Sequence, residues 1–320
     1  MKISKLLLTS TTSLSEDGFY KTFTRILKFL IWNLRKILKR FYDVLHLNIS
    51  IKRSPFNLGI YQKAYSQSHL EHRPFYNIGA ADFFHPCWTN IDFISSWYKQ
   101  DSQLVIHHDL MSNEPLPILT SSAEVIYTSH TIEHIKDEFV QQFFNEAFRS
   151  LKAGGIFRIT TGPDAETDFR ALMNNDEDWF YWDRSHQQKG SFEHIFRKPA
   201  TEVPLVERWL HHFASQLAPN DISDSPKKFD ANEIYDLIDQ HGFPKVLDVL
   251  CSYTTFDPTR PGNHVSWWSH EKVIDFLKRA GFQTTYRSGY RQSASPLMRN
   301  SELFDSTHPQ MSIYVEAIKL

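Results

Sequence analysis

Short apolar runs alternate with polar segments along the chain from residue 74 onward. Five runs have the length and composition of buried strands, and they span residues 75–79, 90–93, 104–109, 124–128 and 156–160. Before the last run, apolar side chains recur at helical spacing over residues 137–152, and we expect the glycines of 153–155 to end this helix. Strands that alternate with helices predict an α/β fold with a parallel sheet covered on both faces.

A separate helical pattern covers residues 20–47. Its apolar positions recur every three or four residues, and lysine and arginine side chains occupy most of the opposite face. Residues 1–53 hold eleven lysine or arginine residues and three acidic ones, a net charge of +8 in a chain whose total is −2. The pattern predicts a basic amphipathic helix. Two interpretations stay open, because such a helix can lie on an anionic membrane or pack on the main domain or a second subunit.

Composition narrows the class of protein. With 320 residues, of which 41% are hydrophobic, the chain is long enough for a sizeable core. It has no run of the ~18 apolar residues that a membrane span needs. Two cysteines, Cys87 and Cys251, are too few for a disulfide framework, so we expect a cytoplasmic protein, with peripheral membrane contact through residues 20–47 as an option. The acidic balance after residue 53 argues against nucleic acid as a partner.

Five positions follow the predicted strands, namely Gly79, Asp92, Asp109, Ser129 and Asp164. Ligands bind beyond the carboxyl ends of parallel strands, where a glycine permits close approach and a carboxylate can accept from both hydroxyls of a ribose. A second carboxylate can accept from the amine of a purine. The G-x-G-x-x-G loop for pyrophosphate is missing, which favours adenosine without phosphates over a dinucleotide. Taken singly, each aspartate is more typical of a capped turn, but their succession favours a ligand.

Five sequence blocks follow one another in a characteristic order along the chain. They are NIGAAD at 77–82, WTNID at 88–92, HDL at 108–110, VIYTSHTIEH at 125–134 and RSLKAGGIFRI at 149–159. Together they resemble the class I S-adenosylmethionine-dependent methyltransferases, and in particular the small-molecule and sugar-directed, type 11-like branch.

The resemblance implies a complete fold. Residues 269–281 are similar to the last helix of that family, and residues 311–319 are similar to its closing antiparallel strand. The implied architecture is a Rossmann-like, mostly parallel seven-stranded sheet with helices on both faces and an inserted, mainly helical lid. The predicted segments are an N-terminal helix and linker at 1–60, the methyltransferase domain at 61–164 and 265–320, and the acceptor-binding lid at 165–264.

The cofactor implied by the resemblance is S-adenosyl-L-methionine. Asp92 would bind its ribose hydroxyls, Asp109 its adenine amine, and Ser129 would lie under the sulfonium. The residues that the resemblance places at the cofactor are Asn77, Gly79, Ala80, Asp92, Asp109, Leu110 and Ser129. The first loop departs from the family pattern, because two alanines and Asp82 stand where glycines are usual, and Asp82 would bring a carboxylate toward the cofactor. A non-catalytic binding or scaffold protein is therefore the alternative function.

The segment HTIEH at residues 130–134 matches the H-x-x-E-H signature of a zinc protease. That site needs both histidines on one helical face, but the predicted end of the preceding strand puts His130 on a turn. We therefore predict no metal, and a zinc hydrolase built on His130 and His134 is a distant alternative. The adjacent histidines at 107–108 and 211–212 point in different directions, so we predict no site from either pair.

The segment 165–264 is not needed by a minimal fold and is rich in aromatic and histidine residues. We expect it to cover the cofactor pocket, with Arg184 or Arg197 available for a phosphate or carboxylate of the acceptor. The aromatic side chains are equally typical of a core within the lid. One helix is predicted over residues 231–241, with Gly242 ending it.

Methyl transfer from a sulfonium is an in-line displacement, and a hydroxyl acceptor benefits from a base. By position, His130 and His134 lie nearest to the sulfonium, Asp164 faces the same cleft, and His194 reaches in from the lid. The predicted catalytic residues are His130, His134 and Asp164. We predict O-methylation of a sugar, a glycan precursor or a related small metabolite.

Overall fold

The computed structural model describes residues 56–94, 105–181, 196–221 and 227–320, together with Leu27 and Ser225. The chain divides into two compact units, Met1–Arg53 and Ser54–Leu320. In the first unit only Leu27 is described, as a helical residue with an exposed side chain, so the amphipathic helix predicted over 20–47 lies outside the described residues. Among the described residues, no helix combines the length and apolar character that a membrane span requires.

Seven strands of the second unit form one sheet. They are β1 (Phe75–Ile78), β2 (Trp88–Asp92), β3 (Val105–His107), β4 (Ala123–Ser129), β5 (Leu151–Thr161), β6 (Thr284–Arg287) and β7 (Ile313–Ile318). Their order across the sheet is β3-β2-β1-β4-β5-β7-β6. Strands β1 to β5 pair in parallel, and β7 pairs antiparallel with both neighbours. The predicted Rossmann-like, mostly parallel seven-stranded sheet is confirmed.

The described residues form eight α-helices, counted within the ranges given above. They are α1 (Leu58–Ala64), α2 (Gln67–Glu71), α3 (Asp137–Ser150), α4 (Ala165–Met173), α5 (Leu205–Ala214), α6 (Ala231–His241), α7 (Lys245–Ser252) and α8 (His270–Arg279). Side chains of α3 and α8 pack with the sheet in one hydrophobic cluster, which includes Phe144 and Phe276. A second cluster joins Tyr61 of α1 to Phe75 and Trp88 of the sheet. Helices therefore cover the sheet on both faces, as apolar strands require.

Helix α3 ends earlier than the sequence predicts. Its last helical residue is Ser150, and Leu151 is already extended and begins β5. The glycines at 153–155 therefore do not end the helix but lie within the strand. Gly154 has a φ of +78°, and its N–H donates to the carbonyl of Lys319 at 2.7 Å. The prediction of a glycine-terminated helix was wrong because the chain turns directly from helix into strand.

The inserted segment has a hydrophobic core of its own, in which Trp209, Phe213 and Leu247 are fully buried. Helix α6 has the predicted bounds. It begins with a capping box between Asp230 and Glu233, and it ends at Gly242, whose φ is +65°. The domain boundaries at 60, 164 and 264 stay predictions. Arg184 and His194 lie outside the described residues.

The carboxyl ends of β1, β2 and β4 lie level with one another. In the paired register, Ile78 of β1 lies beside Ile91 of β2 and beside Thr128 of β4. The residues that follow these three are Gly79, Asp92 and Ser129. Parallel pairing therefore brings residues distant in sequence to one edge of the sheet.

Candidate active site

A cavity of about 460 Å³ opens at this edge of the sheet. Seven of the predicted site residues line it: Gly79, Asp92, Asp109, Leu110, Ser129, His130 and His134. The opposite wall comes from the inserted segment, with His211, His212, Phe256 and His264. The cavity is within the range of pockets that bind small molecules.

Gly79 is required by the local backbone and by a neighbour. Its φ is +70°, a conformation that L-residues with side chains rarely adopt. A Cβ atom at this position would lie 2.1 Å from Oγ1 of Thr131. A glycine at this position therefore allows the side chain of Thr131 to approach the backbone closely. Thr131 also lines the cavity.

Asp92 is held by backbone donors on both of its carboxylate oxygens. The N–H of Ala81 donates to Oδ2 at 2.7 Å, and the N–H of Phe93 donates to Oδ1 at 2.7 Å. The residue also lines the cavity. The carboxylate is thus fixed in position at the end of β2, beside the space where a ligand would bind.

Asp109 follows β3 in a tight turn. Its Oδ1 accepts the N–H of Met111 at 2.9 Å, and its carbonyl accepts from the Oγ of Ser112 at 2.7 Å. The turn presents Asp109, Leu110 and Met111 to the cavity. Both interpretations of this aspartate therefore apply, because it caps a turn and also faces the candidate ligand site.

Three predicted site residues do not line the cavity. Asn77 and Ala80 are buried beside it, and Asn77 is left with its Oδ1 unbonded. Asp164 is the third, because its carboxylate caps a helix. Asp82, which was expected near the cofactor, is exposed and does not line the cavity, so its carboxylate does not approach the candidate cofactor site.

Asp164 caps helix α4. Its carboxylate accepts from the backbone N–H groups of Glu166 and Thr167 and from Nδ1 of His270 at 2.5 Å. Burial raises the pKa of Asp164, but the hydrogen bonds from His270 and the helix outweigh burial and lower that pKa to about 2. The prediction that Asp164 faces the cleft as a base is corrected, since its oxygens are used in capping.

His130 lies on a turn, as predicted. Its φ is +50°, and it connects β4 to a 3₁₀ turn at Ile132–His134. Its Nδ1 lies 2.9 Å from Oε1 of Glu133, and its Nε2 lies 2.8 Å from Oγ of Ser312. The contact with Glu133 is an ion-pair distance without a hydrogen bond, because Oε1 of Glu133 is buried with no hydrogen-bond partner.

Glu133 brings His130, His134 and His264 together. One ligand atom each of Glu133, His134 and His264 lies within 4.8 Å of the others. Burial by itself raises the pKa of Glu133, but the neighbouring imidazoles outweigh burial and hold that pKa well below its ordinary value. Burial and the nearby His134 lower the pKa of His264 to about 3. At neutral pH, Glu133 is therefore ionised and His264 is neutral.

Two adjacent histidines of α5 both line the cavity, against the prediction that this pair makes no site. His212 is ion-paired through Nδ1 with the buried Asp168, which also accepts from Nε1 of Trp179 at 2.6 Å. His211 lies 3.4 Å from Asp221. Both imidazoles therefore lie beside acidic side chains, on a helix that is buried on nearly every side.

Sequence reasoning missed His264, Phe256 and Glu133 as parts of the site. His264 follows Glu133 by more than 130 positions, and no spacing rule connects them. They come together because the N–H groups of residues 265 and 266 donate to the carbonyl of Glu133, in the turn after β4. The available signals were the HTIEH segment, which contains Glu133, and the density of histidines in the insertion.

The residues at the strand ends fit S-adenosylmethionine. A fixed carboxylate at Asp92 suits a ribose diol, and Ile91, Leu110 and Met111 supply an apolar surface for a flat ring. The turn at Gly79 and Ala81 brings the backbone to the same space. The glycine-poor loop therefore contributes backbone to the wall of the cavity.

Comparison with known proteins agrees with this fit. Residues 88–159, from β2 into β5, match the family model described as a methyltransferase domain. The predicted resemblance to a methyltransferase domain is therefore confirmed over these residues. No curated protein matches the chain significantly.

Many solved structures are similar to this chain. The S-adenosylmethionine-dependent methyltransferase SibL is 12% identical, with 77% of this chain and 50% of that chain covered and a TM-score of 0.32. A methyltransferase from Mesorhizobium loti is 12% identical, with 77% and 90% covered and a TM-score of 0.36. A possible histamine N-methyltransferase from Thermotoga maritima is 13% identical, with 82% and 92% covered and a TM-score of 0.32.

The chain spans only about half of SibL and 62% of PigF, which was solved with SAH. With TM-scores this low, the assignment of the fold rests on the strand order and the family model.

Proposed function

We propose that this methyltransferase domain transfers a methyl group from S-adenosylmethionine to a hydroxyl oxygen of a sugar, a glycan precursor or a related small metabolite. One observation carries the proposal. A single cavity joins the fixed carboxylate of Asp92 at the strand ends to a wall of histidines from the insertion. Such a cavity has room for a nucleoside on one side and a polar acceptor on the other.

In the cofactor half, Asp92 binds the ribose hydroxyls and Asp109 binds the adenine amine through the oxygen that the turn leaves available. Leu110 covers one face of the base. Ser129, whose Oγ lies 2.8 Å from Oγ1 of Thr160, is held at the end of β4 under the reacting centre. When bound, the cofactor supplies an electrophilic methyl group, and these residues set its direction.

In the acceptor half, aromatic and polar side chains lie together. Phe93 and Phe256 form an edge-to-face pair with ring centroids 6.3 Å apart, and both line the cavity. His134, His211 and His212 line the wall of the same space. Carbohydrates present apolar C–H faces and hydroxyl rims, so this combination supports a sugar-like acceptor.

His130 is the base in this proposal. With Nδ1 beside the ionised Glu133 carboxylate, Nε2 is the nitrogen that would take the proton of a hydroxyl. In the structure Oγ of Ser312 lies 2.8 Å from that nitrogen, and its hydroxyl donates to the carbonyl oxygens of residues 307 and 308. An acceptor hydroxyl that replaces Ser312 there would give its proton to Nε2, and Glu133 would stabilise the resulting imidazolium.

Calorimetric titration tests the proposal. The purified chain is titrated with S-adenosylmethionine and with S-adenosylhomocysteine, and micromolar binding of both is expected. A screen of sugars and glycan precursors for methyl transfer follows. Failure of a folded protein to bind either compound would contradict the proposal and favour the non-catalytic scaffold alternative.

We also propose that residues 20–47 contact anionic lipid at the cytoplasmic face of a membrane. The support is the net charge of +8 over residues 1–53 and the apolar face of the predicted helix. The full chain should float with phosphatidylserine-containing vesicles and stay behind with neutral ones. Equal flotation with both kinds of vesicle would contradict membrane binding and favour packing of this helix on the main domain or on a second subunit.

A further inference from the structure

We propose that Glu133, His134 and His264 bind one divalent transition-metal ion, of the Zn²⁺ class, in the acceptor half of the cavity. One ligand atom from each residue lies within 4.8 Å of the other two, and all three residues line the cavity. This inference deepens the proposed function and rests on it for its chemical role. It revises the expectation of no metal that the HTIEH segment gave.

Backbone carbonyls fix the tautomers of both histidines. Nδ1 of His134 lies 3.1 Å from the carbonyl oxygen of Asn263, and Nδ1 of His264 lies 2.6 Å from the carbonyl oxygen of His212. A carbonyl accepts only, so each Nδ1 carries the proton and each Nε2 keeps its lone pair. This is the arrangement in which metal-bound histidines are held, with one nitrogen on the metal and the other donating to a carbonyl.

Glu133 is also held for coordination. Its side chain is buried, and its Oε2 accepts from Oγ1 of Thr161 at 2.8 Å. Its Oε1 faces Nδ1 of His130, and each oxygen has a second lone pair. Gly162 borders the cluster, because a Cβ atom built there would lie 3.9 Å from Oε1 of Glu133 and 3.9 Å from Cε1 of His264.

In these tautomers each imidazole offers Nε2 as an acceptor, and Oε1 of Glu133 is buried without a hydrogen-bond partner. A cation bound by these acceptors would compensate the buried carboxylate. Two histidines and one glutamate are the ligand set of a catalytic zinc site with an open fourth position. Imidazole nitrogens favour zinc and its neighbours over magnesium or calcium, which prefer oxygen ligands.

This group differs from the one that the sequence motif indicates. His130 lies on the turn and its Nδ1 faces Glu133, so the two histidines of HTIEH do not share a helical face. The third residue comes instead from the insertion. A metal here would link the methyltransferase sheet to the segment that covers it.

The metal would act on the acceptor. An acceptor hydroxyl in the open position has a lowered pKa, because the ion withdraws electron density from its oxygen. That oxygen forms the new O–C bond to the methyl group as the C–S bond breaks, and the sulfur keeps the electron pair. The hydroxyl proton passes to Nε2 of His130. No oxidant or reductant is needed.

Metal content and cobalt spectroscopy test the site directly. The full chain, stripped with chelator and exchanged into metal-free buffer, is titrated with Zn²⁺ alone and with Co²⁺ alone. We expect one ion per chain and the visible absorption bands of four- or five-coordinate Co²⁺. In His264→Gln, which keeps a donor for the carbonyl of His212, zinc affinity should fall at least tenfold and the cobalt bands should weaken.

The matched control is His211→Gln. It makes the same change in another histidine of the cavity, outside the cluster, so its zinc affinity should stay within a factor of two of the wild type. Circular dichroism shows whether each variant is folded. A folded wild type that binds neither ion, or equal zinc affinity in wild type and His264→Gln, overturns the proposal.

Titration of the metal-free chain with S-adenosylmethionine separates the two proposals. Cofactor binding without metal binding overturns the metal site and leaves the methyltransferase proposal standing. Metal binding without cofactor binding supports the site and removes its assigned role in methyl transfer, leaving the zinc hydrolase alternative to be assayed.

Discussion

Asp164 accepts two hydrogen bonds from His270, one from its backbone N–H at 3.2 Å and one from its Nδ1 at 2.5 Å. The pair ties the start of α4, the first helix of the insertion, to the start of α8, which packs on the sheet. The contact therefore joins the first helix of the inserted segment to a helix that packs on the sheet.

The Asp164 contact predicts acid sensitivity. Its pKa is about 2 in the folded chain and about 4 when unfolded, so the unfolded state binds more protons between these values. The stabilisation, about 2 kcal/mol, is present at pH 7 and is lost as the pH falls from about 4 to 2. In Asp164→Asn, which keeps the helix cap, urea unfolding should show this loss at pH 7 and little difference from wild type near pH 2.

Asp164→Ala serves as the comparison. It removes the cap as well, and it should cost about 1 kcal/mol more than Asp164→Asn at every pH. If both variants unfold at the wild-type urea concentration at pH 7, the assigned role of Asp164 in stability is wrong.

Gly79 and Thr131 give a second prediction. In Gly79→Ala, the positive φ and the clash with Thr131 act together, and we expect a loss of about 2–4 kcal/mol in the free energy of unfolding. Adding Thr131→Ala removes the two atoms nearest to the new methyl group, so the double variant should recover part of that loss. No recovery in thermal unfolding would place the whole cost in the backbone.

The sequence predicted the sheet better than the site. The strands were predicted from short apolar runs, and α6 was predicted from its helical pattern and the terminal Gly242. The structure contains these elements, and α6 begins with a capping box at Asp230. The end of α3 was misplaced because Gly154 was taken as a terminator, whereas its positive φ is used inside β5.

The site depends on contacts between segments far apart in sequence. Asp92 and Ser129 were identified because parallel strands end together, which is a property of the fold class. His264 and His212 were not, because their positions depend on the tertiary packing of the inserted segment. Asp164 was misassigned because a strand-end aspartate can cap the next helix instead of facing a ligand.

Asp92 is predicted to control cofactor affinity. In Asp92→Ala, the hydrogen bonds to the ribose are lost together with the support for Ala81 and Phe93, and calorimetry should show at least tenfold weaker S-adenosylmethionine binding. The exposed Asp82→Ala, in the same loop region but outside the cavity, should bind within a factor of two of wild type. Unchanged affinity in Asp92→Ala would remove the ribose assignment.

His130 is predicted to act on the rate and not on cofactor affinity. With an acceptor identified, His130→Gln should lower kcat by about 10²–10⁴-fold, because no base then takes the hydroxyl proton. The affinity for S-adenosylmethionine should stay the same. A kcat of His130→Gln within a factor of two of the wild type would exclude His130 as the base.

Arg158 provides the strongest prediction for stability. Its guanidinium is fully buried in β5, 2.5 Å from Asp305 and 2.8 Å from Glu316. Arg158→Met leaves two carboxylates buried without their cation, and urea unfolding should show a loss of about 3–5 kcal/mol. Arg287→Ala, which removes an ion pair with Glu271 that is more than half exposed on both sides, should cost less than about 1 kcal/mol.

Neutralising the two carboxylates as well, with Asp305→Asn and Glu316→Gln added to Arg158→Met, should restore much of the loss, because the penalty comes from the uncompensated charges and not from the missing arginine. A triple variant as unstable as Arg158→Met would instead assign the loss to the hydrogen bonds that Arg158 donates to the carbonyls of residues 289 and 292.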